Sequence, residues 1–111
     1  MDLLKRLLLL GLVTLALGSP LVAKDFGNSK DVQQIKTVVK SKLVQVANVS
    51  ISHDWGMCIS NSGDNDLTVL LHRVGGQWKI VAQDGGAYSA SDLRAKGVPA
   101  GDIPQLLKTY Q

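Results

Sequence analysis

The chain has 111 residues, a formal net charge of +3 at pH 7 and a single cysteine, Cys58. This length indicates one domain, and one cysteine excludes an internal disulfide. The charge excess is small, and the few aromatic residues are not interleaved with a basic run. The composition therefore argues against a nucleic-acid-binding protein.

Residues 1–23 have the layout of a secretory signal peptide. A basic pair, Lys5-Arg6, precedes the apolar run 7–17, and the small residue Ala23 ends the segment. The run is shorter than the roughly 20 apolar residues that a membrane-spanning helix needs. We predict cleavage after Ala23, with Gly18 as the alternative site and an uncleaved anchor as the competing interpretation.

Export would leave residues 24–111 as one small domain, periplasmic or secreted, without a stable membrane span. Its net charge would fall to +2, because the leader carries two basic residues and one aspartate. Lys36 and Lys40, with Lys30 and Lys42 nearby, could attract an anionic ligand or another envelope protein. A solvated helix face is the simpler explanation of these lysines.

The segment "DVQQIKTVVKSKLVQV" predicts an amphipathic helix over residues 31–45. Val32, Ile35 and Val39 recur at helical spacing, and polar residues occupy the other face. Either Asn28 or Ser29 can cap its start.

After this helix the apolar period changes to two, which predicts four strands. His53-Asp54 is expected to be a tight turn, "NSGDND" a loop, and Gly75-Gly76 a hairpin turn before "WKIVAQ". The alternation places Trp55 with Ile51 on one face and Cys58 on the other. It also places Trp78 and Ala82 on the same face of the last strand.

Two short helices are predicted at the C-terminus. Ser89 and Asp92 match a capping box, Gly97 ends the first helix, and Asp102 can cap the second. The fold class is therefore α+β, with an N-terminal helix packed on a four-stranded antiparallel meander and two short helices after it. We expect the first helix to cover one face of the sheet.

The strand "GGQWKIVAQ" resembles a feature of the cystatin-like and NTF2-like (SnoaL-like) group of α+β folds. The longer segment "GGQWKIVAQDGGAYSASDLRAKGVPAGDIPQLLK" is similar to the C-terminal half of a group of small exported bacterial proteins, often of unknown function. Asp84 stands where a third glycine is typical of that pattern. The resemblance implies export from a bacterium and an α+β fold, and it carries over no catalytic residue.

Asp84, Gly85 and Gly86 form the first candidate ligand-binding segment, because a glycine loop before a helix can present backbone N–H groups to an anion. The phosphate-loop lysine and the dinucleotide fingerprint are missing. The alternative is a bend without strain at the end of the sheet. Trp55 and Trp78 are expected in the core, or else along a shallow groove for a peptide or sugar.

His53, Cys58 and His72 are possible metal ligands, but their spacings of five and fourteen residues fit no compact metal motif. We therefore predict no metal, no cofactor and no catalytic residue. The interpretation that best fits the sequence is a small exported non-enzymatic binding protein, a monomer or weak homodimer. The alternatives are a small hydrolase or isomerase, favoured if the histidines meet an aspartate, and a self-associating structural protein.

Overall fold

A computed structural model describes residues 24–40, 45–61 and 65–111. Helix α1 spans Ser29–Val39, and four strands follow: β1 (Gln45–Ser52), β2 (Trp55–Asn61), β3 (Asp66–Val74) and β4 (Gln77–Asp84). Helix α2 spans Ala90–Ala95. A 3-10 turn over Ala100–Asp102, helix α3 (Ile103–Leu106) and a second 3-10 turn over Leu107–Tyr110 complete the chain. The predicted α+β class is confirmed.

Helix α1 begins at the predicted cap and ends earlier than predicted. The side chain of Asn28 accepts a hydrogen bond from the Asp31 N–H group, and Lys40 closes the helix. Residues 41–44 lie outside the described residues, and Val46 belongs to β1 rather than to the helix. The prediction of a helix to residue 45 is therefore wrong at its C-terminal end. Valine suits both a helical stripe and a strand, so its spacing alone did not separate the two.

The four strands form one antiparallel sheet in the order β1-β2-β3-β4, as predicted. His53-Asp54 is the turn between β1 and β2, and His53 adopts a positive φ of 55°. Gly75 and Gly76 connect β3 to β4 with φ angles of 62° and 79°, which two-residue hairpin turns of this kind require. The predicted "NSGDND" loop lies largely outside the described residues, since 62–64 are not described.

Apolar clusters cover both faces of the sheet, so the described domain has three layers. Val32 and Ile35 of α1 pack on one face with Cys58 and Trp78. The opposite face is covered by the C-terminal helices, through residues such as Leu93 and Leu106. The C-terminal segment thus buries the face that α1 leaves uncovered.

Two predicted side-chain faces are wrong, each for a geometric reason. In the two-residue hairpin Ser52 pairs with Trp55, so Trp55 shares the face of Ser52 and not that of Ile51. The pairing of β3 with β4 shifts between Leu70 and Leu71. Leu70 pairs with Ala82 and Leu71 with Ile80, so Val81 is an extra residue in β4. This bulge turns Ala82 to the face opposite Trp78.

Gly56 allows α1 to lie close to the sheet. A Cβ atom at this position would collide with Ile35 Cδ1 and would lie 3.3 Å from Trp78 Cζ3. The helix therefore contacts the sheet where β2 has no side chain. Among the described residues, no helix is long and apolar enough to cross a membrane.

Candidate functional site

The main candidate site is an open groove of about 520 Å³ between α1 and the β3–β4 turn. We call it the helix groove. It is lined by Lys30, Gln33, Gln34, Thr37, Val38, Gly76, Gln77 and Trp78. The α1 residues of this lining lie outside the buried stripe that contains Val32 and Ile35. The amphipathic pattern of the helix therefore leaves polar side chains, several of them amides, at the groove.

Trp78 is the predicted ligand-binding residue that the structure places in this groove. Its side chain is only 5% exposed and packs in the α1 cluster. Within the described residues, its indole Nε1 is buried and has no hydrogen-bond partner. A buried donor without an acceptor costs about 1–3 kcal/mol, and almost all buried polar groups in proteins are paired.

A second groove of about 490 Å³ adjoins the helix groove and shares Lys30, Gln34 and Gly76 with it. We call it the charged groove. Its centre is Arg73, whose Nε donates to Asp54 Oδ1 at 3.0 Å and whose Nη1 donates to Asp31 Oδ1 at 3.0 Å. Arg73 also places its guanidinium 4.8 Å from the centre of the Trp78 ring, close enough for a cation–π contact.

Arg73 was not among the site residues predicted from the sequence. It links α1, the β1–β2 turn and Trp78 through side chains that are 42, 19 and five positions away in the chain. The charge of Arg73 and its position before a glycine turn were visible, but its partners were not.

The bend groove, of about 370 Å³, contains the predicted double glycine. Gly85 and Gly86 line it together with Thr68, Thr109 and Tyr110, among others. Neither glycine has a positive φ, and a Cβ atom at either position would meet nothing within 4 Å. The chain bends at both residues, as the structural interpretation predicted. Neither a positive φ nor a lack of space requires glycine there.

At the helix N-terminus that follows the bend, the Ser89 hydroxyl and the Asp92 carboxylate already occupy two of the N–H groups that an anion would use. The N–H of Asp92 donates to Ser89 Oγ, and the Asp92 carboxylate accepts from the Ser89 N–H, which completes the predicted capping box. Asp84 accepts a hydrogen bond of 2.6 Å from the Tyr88 hydroxyl. Burial, together with this bond, raises the pKa of Tyr88 above its ordinary value, so the phenol stays protonated. The carboxylate of Asp84 therefore disfavours the binding of an anion at this segment.

Trp55, the other predicted tryptophan, lies in the cluster beneath the C-terminal helices. It stacks on His72 with ring centres 4.0 Å apart and an angle of 11° between the rings. Trp55 lines none of the three grooves. Its position agrees with the core interpretation.

His53 contacts an aspartate, and this aspartate comes from outside its own turn. Its Nδ1 lies 2.6 Å from Asp102 Oδ1, and Ser52 Oγ donates to the same oxygen at 2.7 Å. The predicted capping by Asp102 is therefore wrong, since its side chain binds the β1–β2 turn and makes no cap hydrogen bond. The hydrogen bond to Asp102 raises the pKa of His53. The hydrogen bond from His53, and to a smaller extent the one from Ser52, lowers the pKa of Asp102.

This trio does not form a nucleophilic site. The serine hydroxyl binds the carboxylate instead of the imidazole, so the histidine is not placed to take its proton. The His53 side chain is 85% exposed and lines none of the three grooves. Among the described residues, no group of three or more His, Cys or acidic side chains could hold a metal ion.

Cys58 is fully buried on the α1 face of the sheet. Burial raises the pKa of its thiol to about 12, with a smaller effect from Asp25. A neutral, enclosed thiol is neither a nucleophile nor a bridge to another chain.

Comparisons of the chain with models of protein families, with curated proteins and with solved structures gave no match.

Proposed function

We propose that this chain is a small exported protein that works by binding, and that its ligand occupies the helix groove. The observation that carries the proposal is the buried, unpaired Trp78 Nε1 in the wall of that groove. An uncompensated donor favours a bound state in which an acceptor pairs with it. The amide side chains of Gln33, Gln34 and Gln77 add further donors and acceptors around the same opening.

The experiment is site-specific photocrosslinking in a bacterial host that expresses the full chain. A benzophenone amino acid replaces Gln34 inside the helix groove, and in a matched variant it replaces Arg94, which is exposed on α2 and lines none of the three grooves. We expect a discrete crosslinked product from position 34 and none from position 94. Equal labelling from both positions, or none from position 34, would contradict a ligand site in the helix groove.

Export is tested on the same protein by cell fractionation and intact mass. We expect it outside the cytoplasm with a mass that corresponds to residues 24–111. A cytoplasmic protein that retains residues 1–23 would remove export from the proposal without affecting the groove.

Self-association is a second candidate, which one surface feature favours. In the described part of the chain β4 has no neighbour on its outer side, and Ile80 and Val81 are exposed there. An unpaired strand with apolar side chains can pair with a second copy. The bulge at Val81 and the charge of Lys79 oppose such pairing, because natural proteins use both devices to blunt sheet edges.

A further inference from the structure

The helix groove has hydrogen-bonding and apolar parts that a ligand must match together. Trp78 offers the unpaired N–H group, and Val38, 42% exposed, offers an aliphatic surface in the same lining. The ligand therefore needs a hydrogen-bond acceptor beside an aliphatic group.

The indole ring of Trp78 has no open face for a sugar. The Arg73 guanidinium lies 4.8 Å from its centre, and the ring edge at Cζ3 borders Gly56 in the core. A sugar ring that binds tryptophan stacks its C–H groups on an open aromatic face, and Trp78 is only 5% exposed. The unpaired N–H group at the ring edge suits an acceptor such as an amide carbonyl instead.

The adjoining charged groove does not favour an ionic ligand. Its lining contains two basic side chains, Lys30 and Arg73, and two acidic ones, Asp31 and Asp54. Arg73 is already bound to both carboxylates and to the His53 carbonyl oxygen, at 3.2 Å. The charges balance within the charged groove, and Lys30, the charged residue in the described lining of the helix groove, belongs to both grooves. This arrangement complements an uncharged ligand.

The length of the groove sets the size of the ligand. Its lining runs along α1 from Lys30 to Val38, eight helical steps and therefore about 12 Å. An extended peptide advances about 3.3 Å per residue, so roughly four residues cover this distance.

We propose that the ligand is a short extended segment of another protein, about four uncharged residues long, with an aliphatic side chain against Val38. This inference rests on the proposed function of the groove. A backbone carbonyl of the segment accepts the Trp78 N–H. Because Nε1 is closed to solvent in the free protein, the carbonyl reaches it only when the lining around Trp78 rearranges.

The test uses protein produced from the full-length gene and a phage-displayed library of random dodecapeptides, with a glycan array in parallel. Enriched peptides are synthesised, and their binding is measured by titration calorimetry and by the shift of the Trp78 indole N–H resonance. The groove variant is Val38→Lys and the matched control is Val81→Lys, since both valines are exposed and only Val38 lines the helix groove.

We expect enriched peptides that share an aliphatic residue, shift the Trp78 resonance, and bind Val38→Lys about tenfold more weakly, the size expected for one lost aliphatic contact. Val81→Lys should change the affinity less than twofold. Peptides that bind both variants equally would overturn the proposal.

The remaining outcomes separate the ligand class from the site. Glycan binding that shifts the Trp78 resonance, without peptide enrichment, would overturn the peptide class and leave the groove as the binding site. Probes that bind without moving the Trp78 resonance, or no binding of either library, would overturn both.

Discussion

Gly85 and Gly86 differ from three other glycines that the structure describes. Gly75, Gly76 and Gly97 have positive φ angles, whereas the two bend glycines do not. A Cβ atom fits at both bend positions without contact. Neither a positive φ nor a lack of space therefore requires glycine at the bend.

This difference predicts effects of different size for alanine at two glycines. Gly85→Ala should change the free energy of unfolding by less than about 0.5 kcal/mol, as expected for an exposed position with compatible backbone angles. Gly97→Ala should destabilise by about 1 kcal/mol or more, because its φ of 100° disfavours a side chain. Urea unfolding followed by tryptophan fluorescence measures both, and equal losses would contradict the distinction.

The His53–Asp102 pair predicts a pH-dependent stability. The raised pKa of His53 means that its contribution is complete below about pH 6.5 and is lost as the pH rises through the folded-state pKa. The lowered pKa of Asp102 means that its contribution is present above about pH 3.8 and is lost as the pH falls through its folded-state pKa. The pair is therefore strongest between these limits.

We expect His53→Gln to lower the thermal midpoint most near pH 5 and least above pH 8. Differential scanning calorimetry from pH 3 to 9 measures the difference between the two proteins. Lys79→Gln, at an exposed position on β4, is the control for a general effect of charge. A difference that does not vary with pH would show that the ion pair does not stabilise the fold.

Among the elements, the last 3-10 turn attaches the C-terminus to the first hairpin. Thr109 is fully buried, and its hydroxyl lies within hydrogen-bond distance of the carbonyl oxygens of Asn48 and Met57 and of Ser50 Oγ. Asn48 has a positive φ of 54°, at the place where the β1–β2 register shifts. The irregularity in β1 thus turns polar groups toward the C-terminal turn.

Removing this hydroxyl tests the attachment. Thr109→Val keeps the shape and leaves buried acceptors unpaired, so it should destabilise by about 1–3 kcal/mol. Thr37→Val on exposed α1 is the matched control, since Thr37 bonds only to Gln33 O in its own helix. Unfolding by urea should separate the two, and equal stabilities would mean that Thr109 contributes no more than an exposed hydroxyl.

The sequence predicted the order of elements because each has a local signal. The Asn28 cap, the Gly75-Gly76 turn and the Ser89–Asp92 capping box all lie where their residue types indicated. What it did not predict depends on pairing: the bulge at Val81 changes the face of Ala82 without any local signature. Contacts such as Asp102 with His53, 49 residues apart, arise only when the C-terminal helices cover the sheet.

The candidate site, too, was predicted from the sequence only in part. Trp78 was a candidate from its residue type and strand, and the structure places it in the wall of a groove. Its unpaired N–H and its contact with Arg73 depend on how α1 packs over Gly56. No periodicity in the chain encodes that approach.

At the scale of the whole molecule, the enclosed Cys58 predicts a protein whose size does not respond to oxidation. Gel filtration should give the same elution volume with and without a reductant. The thiol should react with Ellman's reagent only as fast as the protein unfolds, because the neutral form persists up to a pKa of about 12. A disulfide-linked dimer, or rapid labelling of the native protein, would contradict this.

The first described residues are bound into the sheet. The Phe26 N–H donates to Val49 O at 2.6 Å, the Ile51 N–H donates to Phe26 O at 2.8 Å, and Asp25 accepts from the Val49 N–H. The backbone N–H of Lys24 itself donates to the Asn48 side chain. On the proposed route of export, a peptidase that cuts before Lys24 needs this stretch extended in its own cleft. Cleavage must then precede docking of residues 24–27 on β1, so a chain that folds too early would keep its leader and stay at the membrane.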